Sequence, residues 1–303
     1  MTGRRDRPPS CDGTEFDVDR RYLFAVAYRL VGSAADAEDA VQEAYLRLRT
    51  SAPPDLADRR AWLTTVVSRL CLDLLRSAHR RRETYVGTWL PEPLVGYDDT
   101  DLADAAALRE SVRTAVLLVM ETLTPAERVA FVLHDVFGMD YDRLAAVVGR
   151  STTACRQLAS RARRRVRQDA PPRGEIDDAV QAQVVDAFLR AGVDGDLRDL
   201  VRLLDPDVVL RSDGGGEVRA ALHTVRGAKN VAALLAGLRR RAMHAVGQPA
   251  RLASGGGFLL YDEGTLIGIL GFDTAGGRIT EFNLVLAPTK LRHRRGAISS
   301  AEG

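Results

Sequence analysis

The spacing of hydrophobic residues along the chain changes near residue 170. Before that point apolar residues recur every three or four positions, as in YLFAVAYRLVG and between Arg60 and Arg82, which predicts amphipathic helices. After Pro171-Pro172 one more helix is expected, and then short apolar runs separated by glycines predict strands. The pattern indicates two all-α helical modules followed by an α+β domain.

Breaks in this pattern set the expected boundaries. Stretches rich in proline, glycine or polar residues separate the helical runs from one another and from the strands. The expected strands are DVVLRS, EVRAALHTV, FLLYD, TLIGILGFD and RITEFNLVL. The predicted segments are a flexible tail (1–13), a helical module (14–83), a linker (84–110), a second helical module with a helix-turn-helix (111–168), the α+β domain (175–291) and a basic flexible tail (292–303).

Composition limits the class of protein. The chain has 303 residues, of which 46% are hydrophobic, so it can bury more than one core. Its net charge of +2 conceals arginine-rich stretches at 69–82 and 150–167 and an acidic stretch at 92–104. The cysteines form no CxxC pair, and no stretch has the apolar length of a signal peptide or a membrane span. We expect a cytoplasmic protein that does not bind membranes, and we predict neither a metal site nor a cofactor because no such motif is present.

Residues 141–161 have the pattern of a helix-turn-helix. Leu144 points inward from the first helix, and Gly149 suits the left-handed backbone of the turn. Ser151 can cap the second helix. Cys155 lies on the inward side of that helix, which favours packing as a small apolar residue over a role as a redox switch.

The outward side of the second helix carries side chains that can hydrogen-bond to base edges and phosphates. An ordinary solvated helix usually mixes charges of both signs, whereas no acid occurs from Ser151 to Arg167. We therefore favour DNA recognition over a merely soluble helical hairpin. The predicted base-contacting residues are Thr152, Thr153, Arg156, Gln157, Ser160 and Arg161.

An acidic helix in the first module indicates a different partner. In GSAADAEDAVQEAYLRL, Asp39 and Glu43 are like charges four positions apart, an arrangement that destabilises an isolated helix. The helix is either an ordinary solvated face or a surface that binds a basic protein.

The order and spacing of these motifs resemble the sigma-70 family. DAEDAVQEAYLRL, AWLTTVVSRLCLDLLRSAHRRR and LTPAERVAFVLHDVFGMDYDRLAAVVGRSTTACRQLASRARRRV are similar to extracytoplasmic-function (ECF) RNA polymerase sigma factors, over residues 14–168. The resemblance implies that the acidic helix binds core RNA polymerase, through Asp36, Asp39, Gln42 and Glu43. It implies that the following long helix recognises and melts the −10 promoter element, through Arg69, Asp73, Arg76, Arg80 and Arg81. The helix-turn-helix would recognise the −35 element.

The α+β domain resembles the SnoaL-like, NTF2-like fold, a cone-shaped barrel in which a curved sheet and helices enclose a pocket. A SigJ-like subgroup of these sigma factors carries such an extension, and WLPEPL, DGGG and APTKL are similar to its motifs. APTKL departs from the subgroup pattern Asn-Pro-Asp-Lys-Leu, with Ala287 and Thr289 in place of the asparagine and the aspartate. The resemblance implies regulation of the sigma domains in cis, and the residues implicated are Trp89, Pro91, Pro93, Asp213 and Lys290.

Two other functions stay open for this domain. Enzymes of the fold use Asp or His as general acid or base, and the candidates here are Asp194, Asp213, His223 and His244. One alternative is a SnoaL-like enzyme fused to a DNA-binding module, which turnover by the isolated fragment 175–303 would reveal. The other is a one-component repressor whose C-terminal pocket senses a ligand, which would leave the acidic helix without a role. We therefore predict a sigma factor that is not an enzyme and is monomeric when free. Its expected partners are core RNA polymerase and promoter DNA, with room for a small ligand in the C-terminal pocket.

Overall fold

The computed structural model describes residues 13–82, 87–96, 114–169, 178–194, 198–241 and 244–292. The chain divides into two compact units. The first is built from residues 1–76 and 125–160, and the second from residues 77–124 and 161–303. Most of the two predicted tails, and residues 84–86 and 97–110 of the predicted linker, lie outside the described residues.

The described secondary structure is helical before residue 170 and mixed after it, as the hydrophobic pattern predicts. The helices are α1 (Gly13–Val31), α2 (Ala34–Ser51), α3 (Arg59–Arg82), α4 (Thr114–Glu121), α5 (Pro125–Ala130), which continues as a π-helical segment (Phe131–Val136), α6 (Tyr141–Val148), α7 (Thr152–Asp169), α8 (Asp178–Asp194), α9 (Arg198–Arg202) and α10 (Ala228–Arg241). The strands are β1 (Leu204–Asp213), β2 (Val225–Arg226), β3 (Val246–Leu252), β4 (Gly255–Asp262), β5 (Thr265–Ala275) and β6 (Arg278–Val285).

The turn between α1 and α2 fixes the start of the acidic helix. Gly32 has a φ of 72°, and its N–H donates to the Tyr28 carbonyl at 2.7 Å, which ends α1 with a left-handed residue. Ser33 then caps α2, because its hydroxyl accepts from the Asp36 N–H at 3.3 Å. The acidic helix therefore begins directly after this turn.

The first unit buries two arginines that the hydrophobic pattern does not predict. Arg29 and Arg128 have relative exposures of 0% and 2%. The Arg128 guanidinium donates to the Arg29 carbonyl at 3.3 and 3.4 Å, and the Arg29 guanidinium lies 5.6 Å from the ring centre of Phe137. Burial away from water lowers the pKa of Arg128 to about 9. These contacts hold α1 against α5 and the π-helical segment.

The second unit contains one six-stranded sheet in the order β2-β1-β6-β5-β4-β3. β1 pairs with β6 in parallel, and the other neighbours are antiparallel. Helices α8, α9 and α10 cover one face, where Val184, Leu200 and Leu235 pack against strand residues such as Leu284. This is the α+β domain that the sequence predicts.

The opposite face of this sheet carries a second, smaller core. Successive residues of a strand point to opposite faces, so Val285 lies on this face while Leu284 lies under the helices. Here Val285, Ile269 and Ala287 pack with Leu90 of the linker. The linker therefore completes a core of the C-terminal domain.

One strand prediction is wrong, and one strand was not predicted. EVRAALHTV was expected to form a strand, but only Val225 at its end joins the sheet. Its alternation brings Val218 and Leu222 to the surface, with exposures of 41% and 58%, and the alanines between them have low strand propensity. β3 was not predicted, because VGQPARL is polar and contains Pro249. β3 pairs only with β4, and an edge strand tolerates both features.

Candidate functional site

The helix-turn-helix forms as predicted. Asp140 caps α6 by accepting the Arg143 N–H at 2.8 Å, and Gly149 ends α6 with a φ of 72°. The Ser151 hydroxyl then accepts the Ala154 N–H at 3.2 Å and caps α7. Leu144 is fully buried on the inward side of α6. The turn thus sets the angle at which α7 presents its outer face.

α7 has one buried face and one exposed face. Cys155, Leu158, Ala159 and Ala162 are buried. Burial raises the pKa of the Cys155 thiol, which opposes formation of the reactive thiolate at neutral pH. Five of the six residues predicted to contact bases are exposed and lie away from this buried face, namely Thr153, Arg156, Gln157, Ser160 and Arg161. Thr152 is half-buried and lies at the edge of the buried face.

The residues predicted to read the −10 element lie on α3 and differ in their contacts. Arg69 is exposed, but its guanidinium donates to the Ala146 carbonyl of α6 at 2.8 Å. Asp73 and Arg76 are exposed and form an ion pair at 3.1 Å. The side chains of Arg80 and Arg81 lie outside the described part of the chain. This group therefore faces solvent at two positions and contacts the helix-turn-helix at a third.

The acidic residues of α2 lie opposite its buried face. Ala37, Val41 and Ala44 pack inward. Asp36, Asp39 and Gln42 are exposed, while Glu43 is half-buried and accepts from the Arg47 guanidinium at 2.8 Å.

Sequence reasoning missed one residue of this acidic surface. Leu46 lies one turn beyond Gln42 and Glu43 and is 56% exposed. An apolar side chain at the solvent-facing position of an amphipathic helix was the available signal. We define the acidic face of α2 as Asp36, Asp39, Gln42, Glu43 and Leu46.

The residues implicated in regulation converge on one buried ion pair. The Asp213 side chain is fully buried at the end of β1, and its Oδ2 lies 2.6 Å from the Lys290 Nζ. The same Oδ2 accepts the Leu90 N–H at 2.8 Å, and Lys290 also donates to the Leu90 carbonyl. The Lys290 ammonium lies 4.3 Å from the ring centre of Trp89. We call Trp89, Leu90, Asp213 and Lys290 the linker clamp.

Backbone pairing extends the contact along the linker. Val95 forms a bridge with Leu252 of β3, and the Ala253 N–H donates to the Leu94 carbonyl at 2.8 Å. Pro91 is buried in this contact and Pro93 is half-buried. Proline suits a segment that pairs at only a few of its backbone groups, because it has no N–H to satisfy.

The glycines after Asp213 make the clamp possible. A Cβ at Gly214 would lie 2.0 Å from the Val218 carbonyl oxygen, so no side chain fits there. Gly215 has a φ of 70°, and its N–H donates to the second carboxylate oxygen of Asp213 at 2.9 Å. The turn therefore orients the carboxylate toward Leu90 and Lys290.

The family of the chain follows from its similarity to known proteins. Residues 16–81 match the model of Sigma-70 region 2, and residues 113–166 match that of Sigma-70 region 4. The ECF RNA polymerase sigma factor SigJ of Mycobacterium tuberculosis is 50% identical over 232 residues, 75% of this chain and 73% of the relative. The chain belongs to the ECF sigma factors.

One further relative of this sigma factor and one solved structure match nearly the whole chain. The probable ECF RNA polymerase sigma factor SigI of Mycobacterium tuberculosis is 36% identical over 285 residues, covering 90% of this chain and 92% of the relative. The crystal structure of Mycobacterium tuberculosis SigJ aligns with a TM-score of 0.71 and 38% identity, over 93% of this chain and 98% of that one. The predicted family and fold class are therefore confirmed, and the chain is a transcription initiation factor rather than an enzyme.

The catalytic candidates lie at different places in the C-terminal domain. In the part of the chain that the structure describes, a cavity of about 600 Å³ in this domain is not lined by Asp213, His223 or His244. Asp213 belongs to the linker clamp, and His223 and His244 are exposed. The side chain of Asp194 lies outside the described residues. Over the described residues, His, Cys, Asp and Glu form no cluster that could hold a metal ion, and no helix is long and apolar enough to span a membrane.

Proposed function

We propose that this sigma factor captures core RNA polymerase through the acidic face of α2, reads the −10 element with α3 and reads the −35 element with α7. The observation that supports this most strongly is α7, whose exposed side carries Arg156, Gln157 and Arg161 and no acid up to Arg167. Arginine and glutamine form bidentate hydrogen bonds with guanine and adenine edges.

Capture of polymerase rests on complementary charge and one apolar anchor. Asp36 and Asp39 are exposed on the side of α2 that lies opposite its buried residues. Leu46 adds exposed apolar surface beside them. A basic protein surface with an apolar pocket would bury Leu46 and pair with the carboxylates, which gives both affinity and orientation.

Promoter binding requires the two DNA-reading helices to separate. In the first unit α3 and α6 are joined by the hydrogen bond from Arg69 to Ala146 at 2.8 Å. Elements centred at −10 and −35 are separated by roughly 85 Å of duplex, at about 3.4 Å per base pair. We propose that this contact breaks when polymerase and promoter are bound, which releases Arg69 for DNA.

The C-terminal domain is proposed to regulate this opening in cis. Through the linker clamp it holds residues 87–96, a part of the segment that joins the two sigma domains. A linker bound to the domain cannot extend freely, so release of the clamp would favour the open form. We also propose that the free chain is monomeric and that the cavity of the C-terminal domain holds a small ligand.

Capture of core RNA polymerase by the immobilised full-length chain tests the proposal. Asp39→Ala is expected to reduce the captured polymerase about tenfold, since it removes one charge from a pairing surface. Glu217→Ala is the matched control, because Glu217 is an exposed carboxylate of the C-terminal domain and lies outside the acidic face. Equal capture by the two variants would contradict the proposal that the acidic face binds polymerase.

A further inference from the structure

The C-terminal domain encloses a cavity of about 600 Å³ between its helices and the sheet. This volume falls within the range of about 300–1,000 Å³ that is usual for small-molecule sites. The inner walls are apolar, and they include Phe188 of α8, Leu235 of α10, and Leu270 and Leu284 of the sheet. A ligand that enters would bury a hydrocarbon body there.

The polar part of the cavity is cationic. Arg239 and Arg241, in the last turn of α10, line it together with Arg219. Among the described residues that line the cavity there is no Asp, Glu or His. The neighbouring Arg240 is exposed and is not among the residues that line the cavity. Arg240 can therefore serve as a control for the two arginines beside it.

Apolar residues at the edge of the cavity are exposed. Val246 of β3 is 60% exposed and Leu189 of α8 is 38% exposed, and both line the cavity. Exposed apolar side chains next to an opening favour an occupant that covers them.

We propose that this cavity binds a small amphipathic carboxylate, with its hydrocarbon part against the apolar walls and its carboxylate on the arginines. The guanidinium group presents donors in a planar fork that matches a carboxylate. This inference rests on the part of the proposed function that places a small ligand in the cavity, and it does not depend on polymerase capture.

The end of β6 and the residues that follow it contact both the cavity and the core that contains Leu90. Leu284 and Leu286 line the cavity, while Val285 and Ala287 contact the core that contains Leu90 on the opposite face. An occupant of the cavity would therefore lie on one face of the sheet, and the linker lies on the other. Hydrogen exchange at residues 87–96 is expected to change when the cavity is filled.

Calorimetric titration of the full-length chain with decanoate, kept below its micelle-forming concentration, tests the proposal. Decanoate is expected to bind with one-to-one stoichiometry and at least ten times more tightly than its methyl ester, while acetate does not bind. Arg241→Gln and Arg239→Gln are each expected to weaken binding about tenfold, as loss of one charge-assisted pair does. Arg240→Gln, the matched control, should change the dissociation constant less than twofold.

A second pair of variants guards against a folding defect. Leu189→Glu adds a negative charge at the exposed edge of the cavity and should weaken decanoate binding about tenfold. Gln183→Glu adds the same charge to the same helix, α8, at an exposed position that is not among the residues lining the cavity. Equal binding of acid and ester, equal effects within either pair of variants, or no binding of decanoate would overturn the proposal. Core polymerase capture by the same preparations is scored separately, so intact capture without decanoate binding contradicts this proposal alone.

Discussion

The carboxylate of Asp213 and the ammonium of Lys290 form a buried ion pair at 2.6 Å, although 77 positions separate them in the chain. Both groups also bond to the backbone of Leu90, one to its N–H and one to its carbonyl. A buried charge that loses its partner is strongly destabilising. The ion pair and the linker are therefore coupled. Loss of either charge weakens the binding of the linker, and release of the linker exposes both charges to water.

Neutralising the pair is expected to release the linker. In Asp213→Asn, Lys290 loses its counterion, so amide exchange at Leu90 and its neighbours should accelerate at least tenfold in hydrogen-exchange mass spectrometry. Lys229→Met removes an exposed lysine of the same domain and should leave this exchange unchanged. Unaltered protection in Asp213→Asn would show that the ion pair does not hold the linker.

Base discrimination should depend on the outer face of α7. Arg156→Ala is expected to reduce discrimination at one −35 position by about 1–3 kcal/mol, the usual value of a bidentate base contact. Arg164→Ala, at an exposed position outside the predicted base-contacting set, should weaken binding to all sequences alike and lower the salt slope by about one. Selection of bound DNA from a randomised pool distinguishes the two effects. An identical selected motif for wild type and Arg156→Ala would contradict the assignment.

The apolar residue of the acidic face should contribute to polymerase affinity. Leu46→Ser is expected to weaken capture of core polymerase about tenfold without changing its dependence on salt, since the lost term is apolar burial. Leu222→Ser is the control, because Leu222 is equally exposed but belongs to the C-terminal domain. A loss that disappears at high salt, or one shared by both variants, would be inconsistent with an apolar anchor.

The buried guanidinium of Arg128 predicts a rise of stability with pH. Burial lowers the pKa of Arg128 to about 9, whereas an unfolded arginine keeps its proton to far higher pH. Above pH 9 the unfolded chain therefore binds more protons at this site, and the folded state gains roughly 1 kcal/mol per pH unit from it. In urea unfolding, the stability of wild type relative to Arg128→Met should increase from pH 8 to pH 10. A difference independent of pH would contradict this behaviour.

The cysteines of the helical modules should be inert. Burial raises the pKa of both the Cys71 and the Cys155 thiols, and both side chains are inaccessible. In a Cys11→Ser background, labelling of the native chain at pH 8 is expected to be about a hundredfold slower than in urea. Rapid labelling of Cys155 in the native chain would contradict this prediction and would support a redox role for Cys155.

The helix-turn-helix could be predicted from local sequence signals, whereas contacts between distant residues could not be predicted from the sequence. Gly149 and Ser151 have their predicted roles because turn geometry and capping depend on neighbouring residues. Asp213 and Lys290 were selected only through resemblance, since spacing cannot show that distant residues meet. Burial of Arg29 and Arg128 was not predictable, because their partners lie on helices that are remote in sequence.

Transcription in vitro with core RNA polymerase free of other sigma factors tests the assigned function most directly. With fragmented genomic DNA as template and sequencing of RNA 5′ ends, the full-length chain should produce defined start sites, each preceded by one shared two-part motif. Asp39→Ala should reduce the number of transcripts without altering that motif. Start sites indistinguishable from those of core polymerase alone would contradict the assignment of this chain as a promoter-specificity subunit.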